Sequence, residues 1–285
     1  MNTVESINEL RTLRRQWHRE GKTVGFVPTM GNLHAGHLTL ISAAREQCDI
    51  VVASIFVNPL QFGKNEDLDT YPRTIDEDKA QLDRHHTDVL FLPSVAEMYP
   101  RGLDEQTFVQ VPGISDMICG NSRPGHFRGV ATVVSKLFNM VQPDRAFFGQ
   151  KDYQQLQVIR LMAADLSIDI DIQGIPTQRA EDGLALSSRN GYLTEEQRQI
   201  APKLYACLLN LKTDLQNDRQ PLSVLIEKYT AVLAQAGFKP DYIEIRHADT
   251  LEPVGDMDNQ LVVLVAAFLG NVRLIDNLTV TRPEA

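Results

Sequence analysis

Two histidines in GFVPTMGNLHAGH, His34 and His37, stand one helical turn apart directly after an apolar run and a glycine. At that spacing both rings share one face of a helix. A helix that opens where a buried strand ends presents unpaired N–H groups and the positive end of its dipole, which together make an anion site. Imidazoles pointing across it can donate to phosphate oxygens, and Gly36 between them removes a side chain where a flat ring could lie on the backbone. Zinc is the competing use of a histidine pair, but HExxH is absent and no third ligand is evident. From H-x-x-H alone, exposed histidines without chemistry would be the default; the preceding strand and TMG favour phosphate.

Two further clusters have the right chemistry. In GQKD, Gly149 permits close backbone approach and Lys151 is a compact cation suited to phosphates. Asp152 followed by Gln155 also reads as a capping box for a helix ending near Leu166. Ser187, Ser188 and Arg189 bring hydroxyls and a guanidinium that can wrap triphosphate oxygens when a loop closes. As three isolated letters they would be a solvated turn. Tyr71-Pro72-Arg73 and Ser122-Arg123-Pro124-Gly125-His126 are loops rich in backbone breakers, candidates for a lid that excludes water. Asn58 is as much a turn former as a contact.

The elements that must position these groups follow from periodicity. Val24 to Val27, Ile50 to Val57, Val89 to Leu92 and Ala146 to Phe148 read as strands buried on both faces. Helical patterns lie between them at His34 to Gln47, Thr74 to His86, and Phe127 to Val141, where Val130, Val133, Val134, Leu137 and Val141 share a face. Alternation of this kind predicts an α/β fold, a Rossmann-like doubly wound parallel sheet. Such sheets bind ligands at the carboxyl ends of their strands, where TMG, NPLQF and GQKD would all fall. After about Ile175 the pattern changes. Thr194-Glu195-Glu196-Gln197 is a capping box opening a long helix, Pro221 to Ala236 is another helical stretch, and Tyr242 to Arg246, Leu261 to Phe268 and Val272 to Ile275 are closely spaced strands. The expectation is two domains, residues 1–176 and a smaller C-terminal α+β domain at 177–285 carrying the Ser187-Ser188-Arg189 loop.

Composition narrows the function classes. A net charge of −9 over 285 residues argues against broad docking on nucleic acid, so anionic ligands need concentrated cationic residues. No apolar run approaches a membrane span and the N-terminus lacks an apolar signal core, so the expected compartment is the cytoplasm. Cys48, Cys119 and Cys207 are far apart with no CxxC spacing, which suggests buried thiols rather than disulfides or zinc.

HAGH resembles the HxGH signature of the nucleotidylyltransferase superfamily. More narrowly, PTMGNLHAGH, FVNPLQFG, YPRT, SRPGHFRGV, FGQKDYQQ and DGLALSSRN resemble, in order and spacing, the pantoate–β-alanine ligase family. The likeness is dense over residues 25–193 and loose over the last ninety. It implies ATP as co-substrate with Mg2+, pantoate adenylated with release of pyrophosphate, and β-alanine displacing AMP. It implies a homodimer, no nucleic acid or membrane partner, and no protein-held metal.

Carried over residue by residue, the resemblance puts His34, His37 and Lys151 in the chemistry, with His37 at the leaving phosphate. Met30, Gly31, Asn32, Leu33, Ala35 and Gly36 would lie along ATP, with Gly149, Gln150, Asp152, Gln178, Leu186, Ser187, Ser188 and Arg189. Family members more usually carry an apolar residue where this chain has Gln178, which leaves a backbone contact there. Gln61 and Gln155 match the pantoate glutamines, neutral amides that orient a carboxylate without draining its nucleophilic oxygen. Asn58, Tyr71 and Arg123 are the remaining substrate candidates, Arg123 for the β-alanine carboxylate, and His126 has no assigned role. Two other classes share parts of this pattern: another HxGH nucleotidyltransferase acting on a small acid, and a non-catalytic nucleotide-binding regulator.

Overall fold

The apolar runs become the strands of one parallel sheet. In the computed structural model, which describes residues 1–63, 66–217, 220–255 and 257–282, these are β1 (Asn2–Val4), β2 (Val24–Thr29), β3 (Ile50–Ile55), β4 (Val89–Phe91), β5 (Arg145–Gly149) and β6 (Asp171–Ile175). Their order is β1-β4-β3-β2-β5-β6, and every pairing is parallel. Phe26, Val27, Val51, Val52 and Ala53 are fully buried, which is why β2 and β3 are uninterrupted apolar runs instead of alternating ones. From β2 the chain builds outward through β3 and β4, then returns to β5 on the other side of β2. The order therefore reverses between β2 and β5, the place where such sheets take ligands.

Helices complete the layers: α1 (Ile7–Arg19), α2 (Ala35–Gln47), α3 (Ile75–Arg84), the single turns α4 (Val95–Met98) and α5 (Cys119–Ser122), α6 (His126–Val141) and α7 (Tyr153–Asp165). β1 and β6, which periodicity did not reveal, are the two edge strands. β1 is three residues with only Val4 buried, and β6, DIQGI, contains an aspartate and a glycine; neither has an apolar run to announce it. The strand expected to reach Val57 stops at Ile55, because Asn58 opens a 3-10 turn at Pro59–Gln61.

The chain divides into two compact units. One joins Met1–Gln150 with Val158–Pro176; the other joins Lys151–Gln157 with the chain from Thr177 onward. In the second, α8 (Glu195–Ile200), α9 (Lys203–Asn217) and α10 (Leu222–Gln235) accompany an antiparallel sheet β7-β8-β9, of β7 (Lys239–His247), β8 (Gln260–Leu269) and β9 (Val272–Thr281). Leu204, Leu208 and Leu211 of α9, Leu225 and Leu233 of α10, and Val263, Val265 and Ala267 of β8 share one apolar core. The capping box at Thr194 and Gln197 forms, but the helix it opens is short, not long. Pro202 cannot continue it, and the chain restarts as α9. All three cysteines are buried free thiols, and burial pushes the Cys207 thiol up to about 11.

One close approach tests how the sheet's loops are seated. Gly129, on α6, faces the 3-10 turn so tightly that an added Cβ would lie 2.7 Å from Gln61 N and closer still to the Leu60 carbonyl oxygen. Helix propensity alone favours alanine over glycine by about 1 kcal/mol. The clash reverses the sign: Gly129→Ala should lose about 1–3 kcal/mol in denaturant unfolding. A variant at least as stable as the parent would show that α6 does not seat the turn.

Candidate active site

The turn after β2 is shaped by a buried carboxylate. Asp78, on α3 and 1% exposed, accepts hydrogen bonds from Asn32 N at 2.9 Å and Leu33 N at 2.8 Å. Gly31 N donates to Thr29 Oγ1 at 3.2 Å, and Gly31 and Asn32 take φ of 82° and 50°. This left-handed pair turns the chain sharply enough for α2 to start at Ala35. His34 is therefore the N-cap of α2, in extended backbone, and not its first helical residue.

The cap decides the histidine tautomers. Gly36 N donates to His34 Nδ1 at 3.1 Å, and His34 N donates to His37 Nδ1 at 3.4 Å. A ring nitrogen that accepts is unprotonated, so in each neutral ring the hydrogen sits on Nε2. The rings stack at 4.1 Å between centroids. Two Nε2–H donors thus stand at the N-terminus of a thirteen-residue helix, an arrangement that takes anionic oxygens.

The turn after β3 holds Gln61. Its own backbone bonds, Gln61 N to Asn58 O at 3.3 Å and Phe62 N to Pro59 O at 3.4 Å, are long, so outside anchors matter. Asn58, 1% exposed, supplies most of them. Its Nδ2 donates to Gly129 O at 3.1 Å, and because a carbonyl only accepts, this fixes which end of the amide is nitrogen. Asn58 Oδ1 then accepts from Tyr99 Oη at 2.7 Å and Leu60 N at 3.3 Å; burial pushes the Tyr99 hydroxyl well up, so it keeps its proton. Nδ2 also donates to Gln61 Oε1 at 3.1 Å. The chain of donors leaves Gln61 presenting its NH2 end, now directed at Met30 Sδ at 3.1 Å. A thioether is a weak acceptor, which a carboxylate or hydroxyl oxygen would readily replace. Asn58 is engaged at both ends and caps this turn.

Arg123 is likewise occupied. Its Nε and Nη2 donate to Glu66 Oε1 at 2.6 Å and Oε2 at 2.5 Å, and Nη1 lies 3.0 Å from His126 Nε2. His126 Nδ1 is 2.8 Å from Gln61 O. Tyr71 is buried, its ring edge-on to Phe62 at 5.9 Å, so it packs the loop. In this unit the structure gathers Met30, the histidine pair, Asn58, Gln61 and Arg123 at the ends of β2 and β3. Gly149 and Gln150 follow β5, the strand next to β2; an added Cβ at Gly149 meets nothing within 4 Å, so the backbone there has room around it.

The second unit carries the other cationic candidates. Lys151 Nζ lies 3.8 Å from Asp152 Oδ1, and Lys151 O accepts from Asn277 Nδ2 at 2.8 Å. Asp276 next to it, nearly fully buried, is paired bidentately with Arg179 at 2.6 and 2.9 Å, and the Arg179 guanidinium sits 3.6 Å from the Tyr205 ring centroid. Arg179 thus ties β9 to the segment ahead of the Ser187 loop. Leu186 N donates to Gln178 O at 2.9 Å. Ser187 caps a 3-10 turn at Ser188–Tyr192, accepting from Arg189 N at 3.2 Å. Gln155 lies in the first turn of α7 and is half-buried.

Asp78, Tyr99, Glu66, Asp276 and Arg179 were not singled out from sequence. Each is an isolated polar residue whose partner is tens of residues away; only the acidic first turn of α3, Asp76 to Asp78, was a local hint. Glu66 makes a direct titration test. Burial pushes its carboxyl up, but hydrogen bonding to Arg123 and the guanidinium charge outweigh this and hold it below the ordinary 4.5. The pair's contribution is therefore present above about that pH and lost as pH falls through the lower folded-state value. In Arg123→Ala burial should be opposed only by the Gly63 backbone hydrogen bond and His126, so the Glu66 midpoint should move up from its value in the parent in carboxyl-resolved NMR. An unmoved midpoint would show that Arg123 is not what holds it.

Comparison with known proteins shows the family. The family model described as Pantoate-beta-alanine ligase matches residues 2–279. Pantothenate synthetase of Alteromonas mediterranea is 57% identical over 282 residues, 99% of this chain and 100% of the relative. That of Pseudomonas putida KT2440 is 58% identical over 278 residues, 98% and 97%. Among solved structures, pantothenate synthetase from Thermus thermophilus has a TM-score of 0.90 at 47% identity, covering 98% of this chain and 99% of that one. Pantoate-β-alanine ligase from Francisella tularensis, complexed with β-γ ATP and β-alanine, has 0.81 at 36% identity, covering 98% and 97%. With the family model spanning nearly the whole sequence and these relatives matched from end to end, the chain belongs to the pantoate-β-alanine ligase family.

Proposed function

We propose that the chain condenses pantoate with β-alanine in an ATP-dependent reaction that passes through pantoyl adenylate. The observation that carries this is the pair of Nε2–H donors of His34 and His37 at the end of β2, with the Gln61 amide oriented beside Met30. An oxygen of the pantoate carboxylate attacks the α-phosphorus, and the bond to pyrophosphate breaks. The β-alanine amine then attacks the acyl carbon and expels AMP. Adenylation builds charge on phosphate oxygens, so positioned donors serve it better than a nucleophilic side chain.

Within that scheme His37 donates toward the leaving phosphate and His34 toward the neighbouring oxygens, while Met30 to Gly36 and Gly149 to Gln150 border the nucleotide. Lys151, Ser187, Ser188 and Arg189 take the triphosphate, with Leu186 and the Gln178 backbone toward the base. Gln61 and Gln155 hold pantoate. Mg2+, held chiefly by the substrate phosphates, would offset charge on the pyrophosphate, and Asp152, beside Lys151, would border the nucleotide. The two compact units serve as an N-terminal nucleotide- and pantoate-binding domain and a smaller C-terminal domain. Among the described residues no helix is long and apolar enough to cross a membrane, and we place the enzyme in the cytoplasm as a homodimer, on the family resemblance.

Heavy oxygen in the pantoate carboxylate tests the route. Attack at the α-phosphorus sends label to AMP, with unlabelled pyrophosphate and no ADP; label in inorganic phosphate with ADP would mean an acyl phosphate and overturn the scheme. His37→Ala should lower single-turnover adenylation roughly a hundredfold, from losing ~3 kcal/mol of transition-state stabilisation, while weakening ATP binding far less. Near-normal adenylation in that variant would remove His37 from the chemistry.

A further inference from the structure

We propose that Glu66 and Arg123, together with His126, are positioning residues that set Gln61 for pantoate, so that Arg123 does not bind substrate itself. The inference rests on the reading of Gln61 as a pantoate ligand. Arg123 has committed all three nitrogens: Nε and Nη2 to the two Glu66 oxygens at 2.6 and 2.5 Å, and Nη1 to His126 Nε2 at 3.0 Å; Nη2 also reaches the Gln61 carbonyl oxygen directly, at a long 3.5 Å. Arginine only donates, so Nε2 of His126 is the acceptor, and the hydrogen of the neutral ring lies on Nδ1. That N–H meets Gln61 O at 2.8 Å. One tautomer thus satisfies both contacts, and the Gln61 carbonyl is held by the imidazole N–H at 2.8 Å and, more weakly, by the guanidinium itself at 3.5 Å.

The Glu66 and Arg123 side chains are only 25% and 16% exposed, so the fork is shielded, unlike a loose surface ion pair. It acts on a turn that does not hold itself, since both internal bonds of Pro59–Gln61 are 3.3 Å or longer. Asn58 and Gly129 fix one side of that turn, and His126 fixes the carbonyl on the other. With both in place the Gln61 NH2 has one direction to present. A substrate carboxylate at Arg123 would have to displace Glu66 and release this anchor.

Steady-state kinetics on the full chain test the proposal. Glu66→Ala and His126→Leu should each raise the pantoate KM about tenfold, with the KM values for ATP and β-alanine within about twofold of the parent. His126→Asn, whose amide can replace the Nδ1–H donor, should recover most of the loss. If Glu66→Ala fails to fold, Arg123→Lys, which cannot span Glu66 and His126 together, carries the same expectation. In a Gln61→Ala background, Glu66→Ala should add no further rise, because residues acting through one group are not additive. Additive effects, or a change falling on the β-alanine KM instead, would overturn the relay. A Gln61→Ala variant with an unchanged pantoate KM would overturn the reading of Gln61 itself, and the relay with it.

Discussion

The Asp78 carboxylate is the contact on which the histidine pair depends. A parallel strand that ends in the protein interior delivers its chain into a turn whose N–H groups need partners, and at the end of β2 two of them find Asp78. Without it, two backbone donors would be left unmet at about 1–3 kcal/mol each. The carboxylate is equally dependent on them, since a charge this deeply buried is tolerated only when hydrogen-bonded. With the turn held, His34 falls at the N-cap, and the N-cap geometry in turn points both Nδ1 atoms at the backbone. The orientation of the two imidazoles is thus decided by a residue on a different helix.

The Gln61 turn obeys the same logic with neutral groups. An amide has two chemically opposite ends, and its usefulness depends on which end faces the ligand. Gly129 O settles the orientation of Asn58, Asn58 settles that of Gln61, and the Tyr99 hydroxyl keeps Asn58 from rotating. No ionised group touches the Gln61 side chain in this series. The charged groups, Glu66 and Arg123, act on the turn's backbone instead.

Much of this was legible in the chain itself. Uninterrupted apolar runs announced β2 to β5, because both faces of those strands are covered; the edge strands β1 and β6 were silent because theirs are not. HAGH after strand and TMG marked a helix start, and a thirteen-residue helix does begin there, with His34 as its N-cap. The capping box at Thr194 was correct as a start, while the helix length was misjudged by passing over Pro202.

Local sequence determined the interior strands β2 to β5 and, to within a residue, where α2 begins, and it offered histidines, a lysine and a serine-arginine loop as candidate donors for an anion. These depend on neighbours within one or two turns, so spacing carries them. Only the tertiary structure decided that Asn58 caps the turn after β3 against α6, that Arg123 is held by Glu66, and which nitrogen of His34, His37 and His126 bears the hydrogen. Those outcomes are hydrogen-bond choices between groups up to 71 residues apart. A side chain's donors and acceptors are known from its type, but their partners exist only once the sheet has brought its loops together.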